Sequence, residues 1–236
     1  MPDRFGPRGV IALFIPLQNS NMQPEYEAMR PQGINNQIYR VDLSAADRVP
    51  EAAIRVIGGA LGCWPDVVVV GNSVEMRLMT PATFDDYRGA LQENIGDIPL
   101  VTATDATIAA LKAVGAKRVA AISPMSDAYS QSVADYYRAF GFEVPRHSGL
   151  QVGLPQNIID IGYVEARDAF RKLDRDDIDT FLHVGGALGI ADSIEKLEAE
   201  LGRPVVSVNV ATYWRALRTI GVTDPLTGFG RLAQMP

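Results

Sequence analysis

The chain repeats itself, and that constrains its fold more than any other feature. Arg8-Gly-Val-Ile-Ala-Leu-Phe-Ile-Pro16 is an apolar, β-rich run closed by proline, and Lys117-Arg-Val-Ala-Ala-Ile-Ser-Pro124 has the same form. Asp66-Val-Val-Val-Val-Gly-Asn-Ser73 ends in small polar residues, and Asp179-Thr-Phe-Leu-His-Val-Gly-Gly186 takes the matching place. Residues 99–115 and 204–221 each read as a short strand, a polar turn, an amphipathic helix and a glycine stop. Three matches in one order, at an offset of 105 to 113 residues, describe a duplicated unit. Helical segments read at roughly 24–30, 45–61, 81–94, 105–114, 128–140, 164–173, 190–201 and 211–219. They alternate with near-continuous Val/Ile/Leu strands, the pattern of parallel sheets covered on both faces. The expected fold class is α/β. It has two similar halves related by a pseudo-twofold, each a roughly four-stranded parallel sheet flanked by helices, with an active-site cleft between them. Residues 1–115 form the first half, with the C-terminal helix at 211–236 a candidate to join it, and residues 116–210 form the second.

Composition narrows the function classes. The net charge is −6 and no block of Lys or Arg stands out, which argues against a nucleic-acid surface. The start of the chain is polar and broken by prolines, unlike a signal peptide, and no apolar run approaches the ~20 residues needed to cross a bilayer. Cys63 is the single cysteine, so no internal disulfide forms, and a cytoplasmic location is expected. With only His147, His183 and Cys63 to offer, the chain is not expected to build a dedicated zinc site.

Ligands of open α/β sheets bind beyond the carboxyl ends of the strands. Here those ends carry Gln18-Asn19-Ser20-Asn21, Gly71-Asn72-Ser73, Pro124-Met125-Ser126 and Val184-Gly185-Gly186. These are short donors and exposed backbone N–H groups with helix N-termini behind them, suited to a carboxylate or to an enediolate. Taken singly, each is an ordinary turn. A dinucleotide fingerprint, a Gly-x-Ser-x-Gly elbow and a phosphate loop are all missing.

The motifs together resemble the aspartate/glutamate racemase superfamily, in the branch of maleate isomerase and arylmalonate decarboxylase. Gly71-Asn72-Ser73 is similar to that family's Cys-Asn-Thr, and His183-Val184-Gly185-Gly186 to its Ser-Cys-Gly-Gly. Ser20-Asn21 followed by Glu25 resembles the loop after the first strand, and Gly228-Phe-Gly-Arg-Leu232 the Gly-x-Gly-Arg-Leu near the C-terminus. The resemblance implies cofactor-independent chemistry on a small carboxylic acid, with a thiol on each side of the reacting carbon in the racemases and the maleate isomerase, and with glycine at the first position and a proton-donating thiol at the second in the decarboxylase. This chain has Gly71 and Val184 at those two positions, and Met125 where the relatives carry a carboxylate-binding tyrosine. Ordinary two-thiol racemization is therefore not expected.

Candidate replacements for the acid/base role are His183 and Tyr129, followed by Asp127 and Glu75. Substrate binding is assigned to Asn21, Asn72, Ser73, Ser126, Val184, Gly185 and Gly186. Cys63, in a helix-to-strand turn at the other end of the sheet, reads as structural. The expected activity is that of a lyase or isomerase, decarboxylase-like. The alternative is a catalytically silent carboxylate binder. No cofactor, no metal, no nucleic acid and no membrane are expected as partners, and a homo-oligomer is compatible with the reading.

Overall fold

The structure, a computed structural model, describes residues 3–42, 49–73, 79–152 and 155–236. The first half runs β1 (Gly9–Pro16), α1 (Met22–Met29), β2 (Ile34–Val41), α2 (Val49–Ile57) with a 3-10 turn at Gly58–Cys63, β3 (Val67–Val70), α3 (Pro81–Glu93), β4 (Leu100–Thr102) and α4 (Ala103–Ala113). The second runs β5 (Arg118–Ser123), α5 (Asp127–Ala139), β6 (Glu143–Gly149), a 3-10 turn at Pro155–Asp160, α6 (Tyr163–Leu173) and β7 (Thr180–His183). It continues through a 3-10 turn at Ala191–Ser193, α7 (Ile194–Leu201), β8 (Val205–Ser207) and α8 (Val208–Thr219), before a last short helix, α9 (Gly230–Ala233).

The duplication is realised as two four-stranded sheets of identical order, β2-β1-β3-β4 and β6-β5-β7-β8. Every pairing is parallel. The Val67–Val70 run is fully enclosed because helices cover both faces of its sheet. Each such valine contributes about 1.5–3 kcal/mol by leaving water. Strand β2, by contrast, reads Ile-Asn-Asn-Gln-Ile-Tyr-Arg-Val and is mostly half-buried, as an edge strand should be.

The short strands β4 and β8 turn directly into α4 and α8. Thr102 caps α4 by accepting from the Asp105 N–H at 3.0 Å. Helices α4 and α8 pack on one another, and each touches strands of both sheets: α4 reaches β4 and β8, and α8 reaches β3, β4 and β8. One continuous apolar core therefore runs through both halves, from Ile11 and Leu13 through Leu111 to Phe181, Tyr213 and Leu217. A smaller core, with Phe14, Val70, Phe84 and Leu91, lies on the outer face of the first sheet. Among the described residues no helix is long and apolar enough to cross a membrane.

Candidate active site

The carboxyl ends of β1, β3, β5 and β7 supply the turns. Asn19 shapes the first of them. It is buried, and its Oδ1 accepts from the Asn21 and Met22 N–H groups, both at 2.9 Å, which starts α1. After β3, the Gly71 N–H donates to the Phe14 carbonyl at 2.9 Å, and Gly71, Asn72 and Ser73 are all buried. After β7, Gly185 takes φ +111°, and a Cβ there would lie 2.5 Å from Pro124 Cδ. Only glycine fits, so the turns after β5 and β7 are held against each other.

Met22 sits between the two motif glycines. Its Cε is 2.7 Å from where a Cβ on Gly71 would stand, and its Sδ is 3.0 Å from the equivalent point on Gly186. The Tyr26 hydroxyl, one turn further along α1, is 3.1 Å from that same Gly71 position. The place of any side chain at position 71 is thus filled from α1.

Several sequence expectations need correcting. His183 is fully buried. Its Nε2 is 3.2 Å from the Gly185 carbonyl, which can only accept, so Nε2 carries the proton and Nδ1 accepts from the Ser207 hydroxyl at 3.1 Å. Burial lowers its pKa to about 4. The ring is a neutral clamp between β7 and the start of α8, not a poised base. Asn21 is also engaged: its amide donates to the Ala187 carbonyl at 2.9 Å and the Ile159 carbonyl at 3.3 Å, so both amide protons bind α1 to the second half. The Val184 N–H pairs with the Ile122 carbonyl at 3.0 Å and its side chain is buried. Asp127 accepts from the Gly149 N–H and the Gln151 amide, both at 2.9 Å, and anchors the end of β6. Ser126 is exposed and caps α5, accepting from the Tyr129 N–H at 3.4 Å, and Tyr129 itself is exposed in the first turn of that helix. Glu75 lies outside the described residues.

A buried titratable group that bonds the two halves together was passed over by the functional assignments. Glu25, on α1, accepts from the Ala191 N–H at 2.7 Å and from Asn209 Nδ2 at 2.5 Å. The same Asn209 amide donates to the Gly186 carbonyl at 2.9 Å, so Glu25 is coupled to the turn after β7. Burial is the main cause that raises its pKa to about 7, against hydrogen bonds from Ala191, Asn209 and Ile190, with nearby Asp192 adding to the rise. Glu25 lines a cavity of about 400 Å³ with Asn21, Asp160, Asp192 and the apolar Ile159, Ile161 and Phe229. Its sequence signal was weak, because an acid in the first turn of a helix ordinarily complements the helix dipole. Met22 and Tyr26, spaced i and i+4, likewise look like core residues.

Cys63 stands at the amino end of β3, away from these turns, with its Sγ donating to the Ala60 carbonyl at 3.2 Å. Alkylation with iodoacetamide is expected to leave ligand binding and turnover intact. Loss of function in step with Cys63 modification, in a protein that remains folded, would contradict the placement. Among the described residues no group of three His, Cys, Asp or Glu side chains is disposed to hold a metal ion.

Paired parallel sheets with facing strand-end turns define a class of small α/β enzymes built on an internal duplication. Residues 29–233 match the arylmalonate decarboxylase family, and the chain belongs to that family. It is 24% identical to the maleate isomerase of Pseudomonas putida, over 94% of this chain and 96% of that one. A second maleate isomerase, from Nocardia farcinica, is 25% identical over 86% of this chain and 78% of its own length. In architecture the chain is similar to a Pseudomonas putida maleate isomerase solved with maleate, at a TM-score of 0.86 and 21% identity, over 96% of this chain and 97% of that one. It is also similar to arylmalonate decarboxylase, at a TM-score of 0.80 and 23% identity, over 94% and 98% of the two chains.

Proposed function

We infer that the protein is a cofactor-independent lyase or isomerase that acts on a small carboxylic or dicarboxylic acid, with a malonate-type decarboxylation as the reaction that best suits its residues. The observation that carries this reading is the convergence of the turns after β3 and β7 on one point, Met22, between the two motif glycines. Membership of the arylmalonate decarboxylase family supports it. Decarboxylation needs no base, because the departing carbon dioxide leaves its electron pair behind as an enediolate. Asn72, Ser73 and the backbone of Gly185 and Gly186 are the groups proposed to hold the carboxylate and that enediolate.

A hydrogen bond to a charged group is worth about 1.5–3 kcal/mol, so Asn72→Ala should weaken binding or transition-state stabilisation by roughly tenfold to a hundredfold. Measuring melting temperature and affinity on the same sample decides the matter. A lower melting temperature with unchanged affinity per folded molecule would reduce Asn72 to a turn residue.

A second reading, a carboxylate binder without turnover, is favoured by one specific observation: the space at position 71 is occupied by Met22 and Tyr26. Product analysis with aryl- and alkylmalonates and with maleate separates the two. An enzyme forms product, whereas a binder shows only thermal stabilisation by the acids.

A further inference from the structure

A side chain at position 71 has no room of its own, and what fills the room is chemically capable. Tyr26 is fully buried, and its ring stacks on Tyr213 with centroids 5.3 Å apart and planes 18° from parallel. Its hydroxyl points to the spot a Cβ on Gly71 would occupy, 3.1 Å away. Among the described residues that hydroxyl has no hydrogen-bond partner. Thr212 lies within electrostatic reach of that hydroxyl but outside hydrogen-bond geometry, and its own proton goes to the Val208 carbonyl at 2.6 Å. An unpaired buried hydroxyl is costly and calls for a reason. The other occupant, Met22, is an unbranched thioether with several rotatable bonds, the side chain best able to swing out of a tight space.

Resting on the decarboxylase reading above, we propose that Tyr26 is the catalytic proton donor to the reacting carbon, delivering from the side of Gly71 the proton that Val184 cannot supply, and that Met22 is the plug a substrate displaces to reach it. The bond from the reacting carbon to one carboxylate breaks, its electron pair stays as the enediolate, and carbon dioxide leaves. The Tyr26 O–H bond then breaks, its proton passes to the reacting carbon, and its electron pair remains on the phenolate oxygen. Water reprotonates the phenolate, so each turnover draws one proton from solvent. Burial, with a contribution from the neighbouring Glu25 carboxyl, holds the phenol pKa well above its ordinary value. Tyr26 therefore waits in the protonated form that a donor needs.

The test uses an α-aryl-α-methylmalonate, whose product is chiral. The parent protein should deliver the proton from one face and give one enantiomer in excess. Tyr26→Phe keeps the stacked ring and removes only the donor. Its kcat is expected to fall by about 10²- to 10⁴-fold, the usual worth of general acid catalysis, with KM little changed and the residual product racemic. An unchanged kcat and enantiomeric excess in Tyr26→Phe, beside an active parent, overturns the role of Tyr26 and leaves the decarboxylase reading standing. If Tyr26→Phe proves unstable, Met22→Ala carries the test, because it uncovers the phenol without altering it. It should raise kcat/KM, and a fall in a folded variant overturns the plug and the donor together. No product from either the parent or Met22→Ala, with aryl malonates still raising the melting temperature, overturns the decarboxylase reading itself and the proposal with it.

Discussion

Glu25→Gln is expected to remove a contribution to stability that, taken alone, falls by about 3 kcal/mol between pH 4.5 and pH 7. The carboxyl moves from an ordinary pKa of 4.5 to about 7 on folding, chiefly because burial disfavours its charge. Between those values the folded chain holds a proton that the unfolded chain has released. Acid therefore favours folding: the contribution is fully present below pH 4.5 and is lost as pH rises through 7. The surroundings reinforce this sign, since Asp160 and Asp192 line the same cavity and, among the described residues, no Lys or Arg does. Glutamine imitates the protonated form at every pH. His183 opposes Glu25. Its pKa drops from 6.5 to about 4 on folding, so the unfolded chain takes a proton that the folded chain refuses, and acid weakens the fold over that range. Where the two ranges overlap their contributions cancel, and Glu25→Gln should expose the His183 slope of about 1.4 kcal/mol per pH unit. Urea unfolding of both proteins at several values between pH 4 and pH 8 measures this directly. Parallel stability curves for parent and variant would refute it.

Placing a thiol at position 71 by Gly71→Cys is expected to destabilise the protein by about 1–3 kcal/mol, the usual cost of overpacking a filled core. The new Cβ would stand 2.7 Å from Met22 Cε, 3.1 Å from the Tyr26 hydroxyl and 3.3 Å from the Phe14 carbonyl. Met22 is flexible and gives way, but the Phe14 carbonyl belongs to strand β1 and does not. Met22→Ala alone leaves a cavity and should cost about 2–5 kcal/mol. Combined with Gly71→Cys it makes room for the sulfur, which partly fills the vacated space. The double variant should be more stable than the sum of the singles by at least about 1 kcal/mol. Simple additivity in this cycle would show that Met22 does not occupy the space of a residue-71 side chain.

The duplication, the eight helical segments and the parallel character of the sheets were legible because they rest on local signals. Four-valine strands, glycine stops and apolar periodicity survive without tertiary context. Strand β2 was not, because Ile34–Val41 lies at a sheet edge and carries Asn35-Asn36-Gln37 in succession, with neither an apolar run nor a regular alternation to mark it. The positions of Gly71, Asn72, Ser73, Gly185 and Gly186 on strand-end turns followed from the strands before them. What the sequence concealed was the direction of side chains. His183 precedes the turn after β7 and looks available, yet its ring is turned into the core by Ser207, which lies on the adjacent strand β8. Asn21 looks like a ligand donor until the carbonyls of Ile159 and Ala187 arrive from the other half. Met22, Tyr26 and Glu25 gain their significance only when α1 is laid against Gly71, Gly186 and Asn209, contacts that no spacing within α1 announces.

The exchange of α4 and α8 between the two sheets bears on the order in which the chain can mature during synthesis. When α4 leaves the ribosome, strands β1 to β4 are already made, yet the wall that covers α4 is α8, close to the other end of the chain. Until α8 appears, Ala106, Ile108, Ala110 and Leu111 lack their final cover. The early half is then an incomplete intermediate with apolar surface on show, the kind of species that aggregates or engages chaperones. Synthesis of α8, rather than completion of the first repeat, is the event that lets this protein close its core.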